Sequence, residues 1–201
     1  MKQTEKNRAS YNNVVLKWSS YRCKTINKCI REFCDLLPPN AHVLDIGCGT
    51  GCPIDKYLNQ KGFSIVGIDI SEKMIEEAQK LNLSNSVFIR KDFIDFTSTD
   101  KFDAIIAFDS IWHIEEDRQE MVYGKVSQLL RSNGYFIFTH GKNRGTIKGN
   151  MFSEEFIYSA LSANKVKELI EQSGMDIVLW QENYEEETTG TRDLLVIVRK
   201  K

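Results

Sequence analysis

The chain has 201 residues, and its 27 Lys+Arg against 28 Asp+Glu leave a formal net charge of −1. That length suits one domain with a substantial core, while the balanced charge argues against a nucleic-acid or anionic-membrane partner. No apolar stretch approaches the roughly 20 residues that cross a bilayer, and Met1-Lys2-Gln3-Thr4-Glu5-Lys6 has no signal-peptide core, so a cytoplasmic location is expected.

The first helix signal runs from Lys24 to Leu37 and is stopped by Pro38-Pro39, ahead of an apolar strand at His42 to Ile46. That strand runs into Gly47-Cys48-Gly49-Thr50-Gly51, with glycines at alternate positions, where the backbone can turn tightly and approach a ligand closely. Pro53 can open a helix that Gly62 closes. A second strand, Ser64 to Ile68, ends at Asp69, an acid placed to accept hydrogen bonds from both hydroxyls of a ribose. These features describe a pocket for an adenosine-containing cofactor. The G-x-G-x-G spacing departs from the dinucleotide fingerprint, and no phosphate loop of the G-x-x-x-x-G-K-[ST] type occurs. Asp45, just before the turn, would repel a phosphate and attract an ammonium.

Ser71 is an N-cap for a helix through about Leu81, with apolar Met74, Ile75 and Ala78 at helical spacing. Strands follow at Ser86 to Arg90 and Phe102 to Phe108, then a helix from Glu115 to Leu130 and a strand from Gly134 to Thr139. The alternation implies a doubly wound, mainly parallel sheet with helices on both faces. His140 to Ala160 reads as a long flexible connection rich in glycine and aromatics, suited to covering a substrate. Ser162 to Ser173 is a helix ended by Gly174. Met175 to Tyr184 and Arg192 to Arg199 are strands joined by the short segment 185–191, too short for a crossover helix, so they should pair antiparallel. Cys23, Cys29, Cys34, Cys48 and Cys52 include no C-x-x-C pair or histidine cluster and read as buried or incidental thiols, with neither zinc nor a disulfide framework expected.

The ordered set VLDIGCGTG, then GIDIS, then Arg90-Lys91-Asp92-Phe93 resembles class I S-adenosylmethionine-dependent methyltransferases from about Tyr11 to the C-terminus. The resemblance implies a seven-stranded sheet in the order 3-2-1-4-5-7-6 with strand 7 antiparallel, over residues 41–201, preceded by an N-terminal helical lid over 1–40 within a single domain. It implies S-adenosyl-L-methionine as cofactor. Asp45 and the loop Gly47, Cys48, Gly49, Thr50 and Gly51 would hold the methionine part, and Asp69 the ribose. Ile70 would pack on adenine, Asp92 and Phe93 would bind its exocyclic amine, and Phe108 would close the site.

After the fourth strand, Phe108-Asp109-Ser110-Ile111-Trp112-His113-Ile114 would lie beside the transferable methyl group, with His113 as a candidate base and Asp109 and Trp112 as acceptor contacts. The segment from Tyr11 to Trp18 is similar to the Y-[DN]-x-x-A-x-x-[WY] lead-in of small-molecule methyltransferases, with Val15 in place of alanine. Tyr11, Trp18 and Arg22 are therefore lid candidates, and His140 and Tyr158 further acceptor-site candidates. The N-P-P-[YF] sequence of base-methylating enzymes is absent after the fourth strand, which favours a small-molecule acceptor. A nicotinamide-dependent oxidoreductase and a noncatalytic S-adenosylmethionine-binding protein are the alternatives.

Overall fold

The computed structural model describes residues 2–23, 25–186 and 190–201. Its central sheet is built from β1 (His42–Ile46), β2 (Ser64–Asp69), β3 (Ser86–Arg90), β4 (Phe102–Ala107), β5 (Leu130–His140), β8 (Met175–Glu186) and β9 (Gly190–Lys200). They lie in the order β3-β2-β1-β4-β5-β9-β8. β2, β1, β4 and β5 pair parallel in turn, and β9 enters antiparallel between β5 and β8. This is the expected sheet, with β8 and β9 in the sixth and seventh roles.

The strand cores are near-continuous apolar runs because both faces are covered. Leu44, Phe136, Phe138 and Val196 pack on one side with Val122, Tyr123 and Val126 from α5 (Glu116–Leu129) and Val166 and Ile170 from α6 (Ala163–Gln172). On the other side Val43, Ile65 and Ile106 meet Ile30 and Phe33 of α2 (Lys28–Cys34) and Leu58 of α3 (Ile54–Gln60). Ser71 caps α4 (Glu72–Lys80) as expected, its Oγ accepting from Met74 N at 3.1 Å.

Two expectations need correction. The helix expected from Lys24 begins only at Lys28, after an extended Thr25-Ile26-Asn27 with Asn27 at the N-cap position. A separate long helix, α1 (Gln3–Arg22), precedes it. His140 to Ala160 is not a featureless loop: β6 (Gly145–Met151) and β7 (Glu154–Ala160) pair antiparallel as a hairpin. Its turn is Phe152-Ser153 with φ of 53° and 70°, so a left-handed turn is made here by residues that do not announce one. The acidic turn expected at 185–191 lies partly outside the described residues, at 187–189.

Candidate functional site

β1 lies between β2 and β4, so the helices following the two halves of the sheet diverge at its C-terminal end, where doubly wound sheets open a crevice. A cleft occupies that place, floored by the ends of β1 to β4 and roofed by α1. Gly47 has φ +75°, and a Cβ there would lie 2.4 Å from Ser110 Cβ, so only glycine lets the loop after β1 approach the end of β4.

Asp45, Gly47, Cys48, Gly49, Asp69, Ile70, Asp92, Phe93 and Phe108 line this cleft. Thr50 and Gly51 do not. Thr50 is buried, and Gly51 turns toward Leu81, Phe88 and Ala78. Tyr11, Trp18, Arg22, Asp109 and His113 also line it, whereas Trp112, His140 and Tyr158 stand outside. His140 is wholly buried, with Nε2 3.1 Å from Gln119 Oε1. Trp112 and Tyr158 pack edge to face at 6.4 Å, and Tyr158 lies 5.1 Å from the His113 ring.

Asp69 accepts from Gly49 N through Oδ2 at 3.0 Å and from Ser71 N through Oδ1 at 2.8 Å. Burial raises its pKa to about 6 against the lowering effect of these amide donors. Each carboxylate oxygen retains accepting capacity for a further donor. Asp92 caps a short turn by accepting from Ile94 N at 2.9 Å and pairs with Arg118 Nη1 at 3.2 Å.

Asp45 is 2 % exposed, and behind it stands Asp55, fully buried in the first turn of α3. Burial pushes both carboxyls up, Asp45 to about 7, and the charge of Asp45 raises Asp55 further. Neither Asp55 oxygen has a hydrogen-bond partner among the described residues.

Asn7 of α1 organises the opposite wall. Its Oδ1 accepts from Ile157 N at 2.8 Å, which fixes the amide orientation. Its Nδ2 then donates to Ile157 O at 2.7 Å and faces His113 Nδ1 at 3.0 Å. With Nδ1 accepting, a neutral His113 carries its proton on Nε2 and donates to the Tyr11 hydroxyl oxygen at 2.8 Å. Burial lowers the His113 pKa to about 4, which keeps the ring neutral.

Asp109, at φ 58°, receives Arg192 as a fork: Nε to Oδ1 and Nη2 to Oδ2, both 2.6 Å. Arg22 Nη2 pairs with the same Oδ2 at 3.3 Å while its guanidinium lies 5.2 Å from the Trp18 ring centroid. The next residue, Cys23, is bonded to Cys52, just after the glycine loop that follows β1. This corrects the expectation of thiols throughout. The two cysteines are 29 positions apart, and only the docking of α1 brings them together.

Sequence reasoning missed Asn7, Asp55 and Arg192. The inward face of α1 is largely polar, with Thr4, Asn7 and Ser10 buried beside Val14 and Val15, so no hydrophobic period marks it. Thr4 bonds Glu115, Ser10 donates to Glu155 O at 2.8 Å, and Asn12 Oδ1 accepts from Ser71 Oγ at 2.6 Å. Asp55 carried a weak signal, an acid at a position that the periodicity of α3 turns inward.

A methyltransferase-domain family profile matches residues 37–189. The chain belongs to the methyltransferase-domain family. The expected class I S-adenosylmethionine-dependent group and fold are thereby established. A Bacillus subtilis protein provisionally named as the methyltransferase YqeM is 35% identical over 107 residues, covering 51% of this chain and 43% of its own. The sterol 24-C-methyltransferase of Schizosaccharomyces pombe is 31% identical over 106 residues, covering 50% of this methyltransferase-family chain and 28% of its own. The chain thus spans less than half the length of these relatives. In fold it is similar to a Methanosarcina mazei structure described as a SAM-dependent methyltransferase, with TM-score 0.71 at 20% identity, covering 84% of this chain and 96% of that one.

Proposed function

We propose that the chain transfers a methyl group from S-adenosyl-L-methionine to a small-molecule acceptor inside the cleft. The observation that carries this reading is the cleft's continuity. One continuous space runs from Asp69 and the Gly47–Gly49 loop to Tyr11, Arg22 and His113, under a roof supplied by the chain's own N-terminal helix. A roof in that position suits an acceptor small enough to be covered, and α1 acts as the lid, whereas α2, within the expected lid segment 1–40, packs into the core against the sheet.

In this reading Asp45 receives the α-ammonium, Asp69 the ribose hydroxyls, Ile70 the adenine face, and Asp92 with Phe93 the adenine edge. Gly47, Cys48 and Gly49 pass the backbone along the methionine moiety, and Phe108 closes the inner wall. Thr50 and Gly51 shape the loop from behind. The sulfonium supplies the leaving group, so the protein's task is to align acceptor, methyl carbon and sulfur and to exclude water. His113 serves the acceptor through Tyr11: the imidazole N–H occupies a lone pair of the phenol, which turns the Tyr11 hydroxyl proton away from His113. Asp109 and Arg22 form the polar end of the acceptor space, with Trp18 as its aromatic wall. Trp112, His140 and Tyr158 support it from outside.

Calorimetric titration of the folded protein with S-adenosylmethionine and S-adenosylhomocysteine tests the cofactor half, and absence of binding refutes it. Incubation with labelled S-adenosylmethionine and pooled metabolites tests the acceptor half through the appearance of a labelled small molecule. Preferential binding of NAD would support the oxidoreductase alternative.

A further inference from the structure

Two residues of α1 hold the His113 ring from opposite ends. Asn7 and Tyr11 are four positions apart, so they share one face of the helix, one turn from each other. Asn7 Nδ2 reaches ring Nδ1 at 3.0 Å, and the Tyr11 hydroxyl reaches ring Nε2 at 2.8 Å. Asn7 is wholly buried, and the Ile157 backbone fixes which way its amide faces: Ile157 N donates to Oδ1 at 2.8 Å and Nδ2 donates to Ile157 O at 2.7 Å. Nδ1 has a competing partner in that same carbonyl, at 3.4 Å. A ring proton on Nδ1 could serve Ile157 O, but it would then face the Asn7 amide hydrogen at closer range. The nearer donor wins, Nδ1 accepts, and the neutral ring carries its proton on Nε2. Among the described residues Nε2 is the sole hydrogen-bond partner of the Tyr11 hydroxyl. With Nε2 donating, the phenol's own proton has no protein acceptor, at a position that lines the cleft. Burial, the neighbouring Tyr158 and the acids Asp69 and Asp109 push the Tyr11 pKa up, so that proton is kept.

We propose that Asn7 is a positioning residue that selects the Nε2-protonated tautomer of His113, so that Tyr11 meets the methyl acceptor as a hydrogen-bond donor and the acceptor group presents a lone pair to it. This rests on methyl transfer to an acceptor held in the cleft and deepens that reading by stating what the acceptor brings to this wall. A neutral ring whose one lone pair is filled by Asn7 has no base to offer, and a phenol that keeps its proton has none either. The acceptor therefore reaches the methyl carbon already unprotonated at the attacking atom. In the transfer its lone pair forms the bond to the methyl carbon, the carbon–sulfur bond breaks, and that electron pair passes to the sulfonium sulfur. No proton passes to Tyr11, His113 or Asn7.

NMR of the ring nitrogens in protein labelled with 15N-histidine reads the tautomer directly. The chain has three histidines, and the signals missing from His113→Asn assign His113. At neutral pH the parent is expected to show His113 protonated on Nε2 and bare on Nδ1. Asn7→Leu removes the amide donor and leaves Ile157 O beside Nδ1, so the ring proton should move to Nδ1 and the Tyr11 hydroxyl should then donate to Nε2. Methyl transfer to an acceptor recovered from pooled metabolites should fall about tenfold in Asn7→Leu, the effect of one hydrogen bond, with S-adenosylhomocysteine affinity within about threefold of the parent. Asn7→Leu combined with Tyr11→Phe should be no slower than Tyr11→Phe alone, since Asn7 acts through Tyr11. Additive losses would make Asn7 a structural support and overturn the proposal. An unchanged tautomer in Asn7→Leu overturns it too. If the Leu variant does not fold, the parent spectrum decides, because an Nδ1-protonated ring there contradicts the role of Asn7. The two readings fail separately. An active parent with the ring protonated on Nδ1 refutes Asn7 alone, whereas an inactive parent with the ring protonated on Nε2 refutes methyl transfer and, with it, the acceptor side of the proposal.

Discussion

The Tyr11 hydroxyl lies 2.8 Å from Nε2 of His113, whose other ring nitrogen faces the Asn7 amide at 3.0 Å. The lid helix and the loop after β4 are thus joined through one neutral imidazole. With the Nε2 proton engaged by its oxygen, Tyr11 has its own proton to offer inside the cleft. Tyr11→Phe is expected to lower kcat about tenfold, the equivalent of one hydrogen bond of about 1.4 kcal/mol, with S-adenosylhomocysteine affinity nearly unchanged. Steady-state kinetics with an acceptor from the metabolite screen checks it; equal losses in binding and turnover would assign Tyr11 to the cofactor.

The neutral His113 has a consequence for stability. Its pKa falls from 6.5 to about 4 on folding, so between these values the unfolded chain binds the extra proton. Stability therefore falls as pH drops through that window, by about 3 kcal/mol at its acid end. Asp69, raised from 3.8 to about 6, works in the opposite sense: its contribution is present below 3.8 and lost as pH rises through 6. Urea unfolding across this range should show a shallower acid loss in His113→Asn than in the parent, and parallel curves would contradict a buried neutral histidine.

Asp69 already holds two backbone amides, which orient it toward the cleft. Asp69→Ala should weaken S-adenosylhomocysteine binding by roughly 1.5 to 3 kcal/mol, the range for a hydrogen bond to a charged group. Unchanged affinity in titration would remove Asp69 from the ribose site.

Asp109 answers both Arg192 and Arg22, whose side chains are 12% and 9% exposed. Removing the acid leaves two largely buried guanidiniums facing one another, so Asp109→Ala should cost about 3 kcal/mol or more of unfolding free energy. Denaturant midpoints measure this, and a change below about 1 kcal/mol would place the cluster in the weak surface class.

Cys29, Cys34 and Cys48 are in no disulfide, while Cys23 and Cys52 are joined. Alkylation of the unfolded, unreduced protein should therefore label three cysteines, and prior reduction should raise the number to five. Five labels without reduction would show the bond to be open in solution.

The sheet was legible because each of its signals is local. Val43, Leu44 and Ile46 make a mostly apolar run, broken only by Asp45, that needs covering on both faces, Ser71 caps its helix from three residues away, and the short 185–191 segment forces β8 and β9 together. The loop glycines are legible for the same reason, since Gly47 reports a backbone requirement of its own position. The hairpin of β6 and β7 was not, because Phe152 and Ser153 lack the Asn-Gly chemistry that marks such a turn. α1 came only as the helical lid that the family resemblance implies, and its bounds and inward face were not legible, because a helix seated by Thr4, Asn7 and Ser10 on polar partners has no apolar stripe.

From the order of residues alone came the alternation of strands and helices, the terminal hairpin and the acids at the strand ends, which depend on period, spacing and turn chemistry within short windows; the sheet order came through the family resemblance that those motifs carry. The pairings of Tyr11 with His113, Cys23 with Cys52 and Asp109 with Arg192 came only with the folded chain. Hydrogen bonds, ion pairs and disulfides depend on distances of a few ångströms between residues far apart in sequence, and those distances exist only once the helices have docked on the sheet.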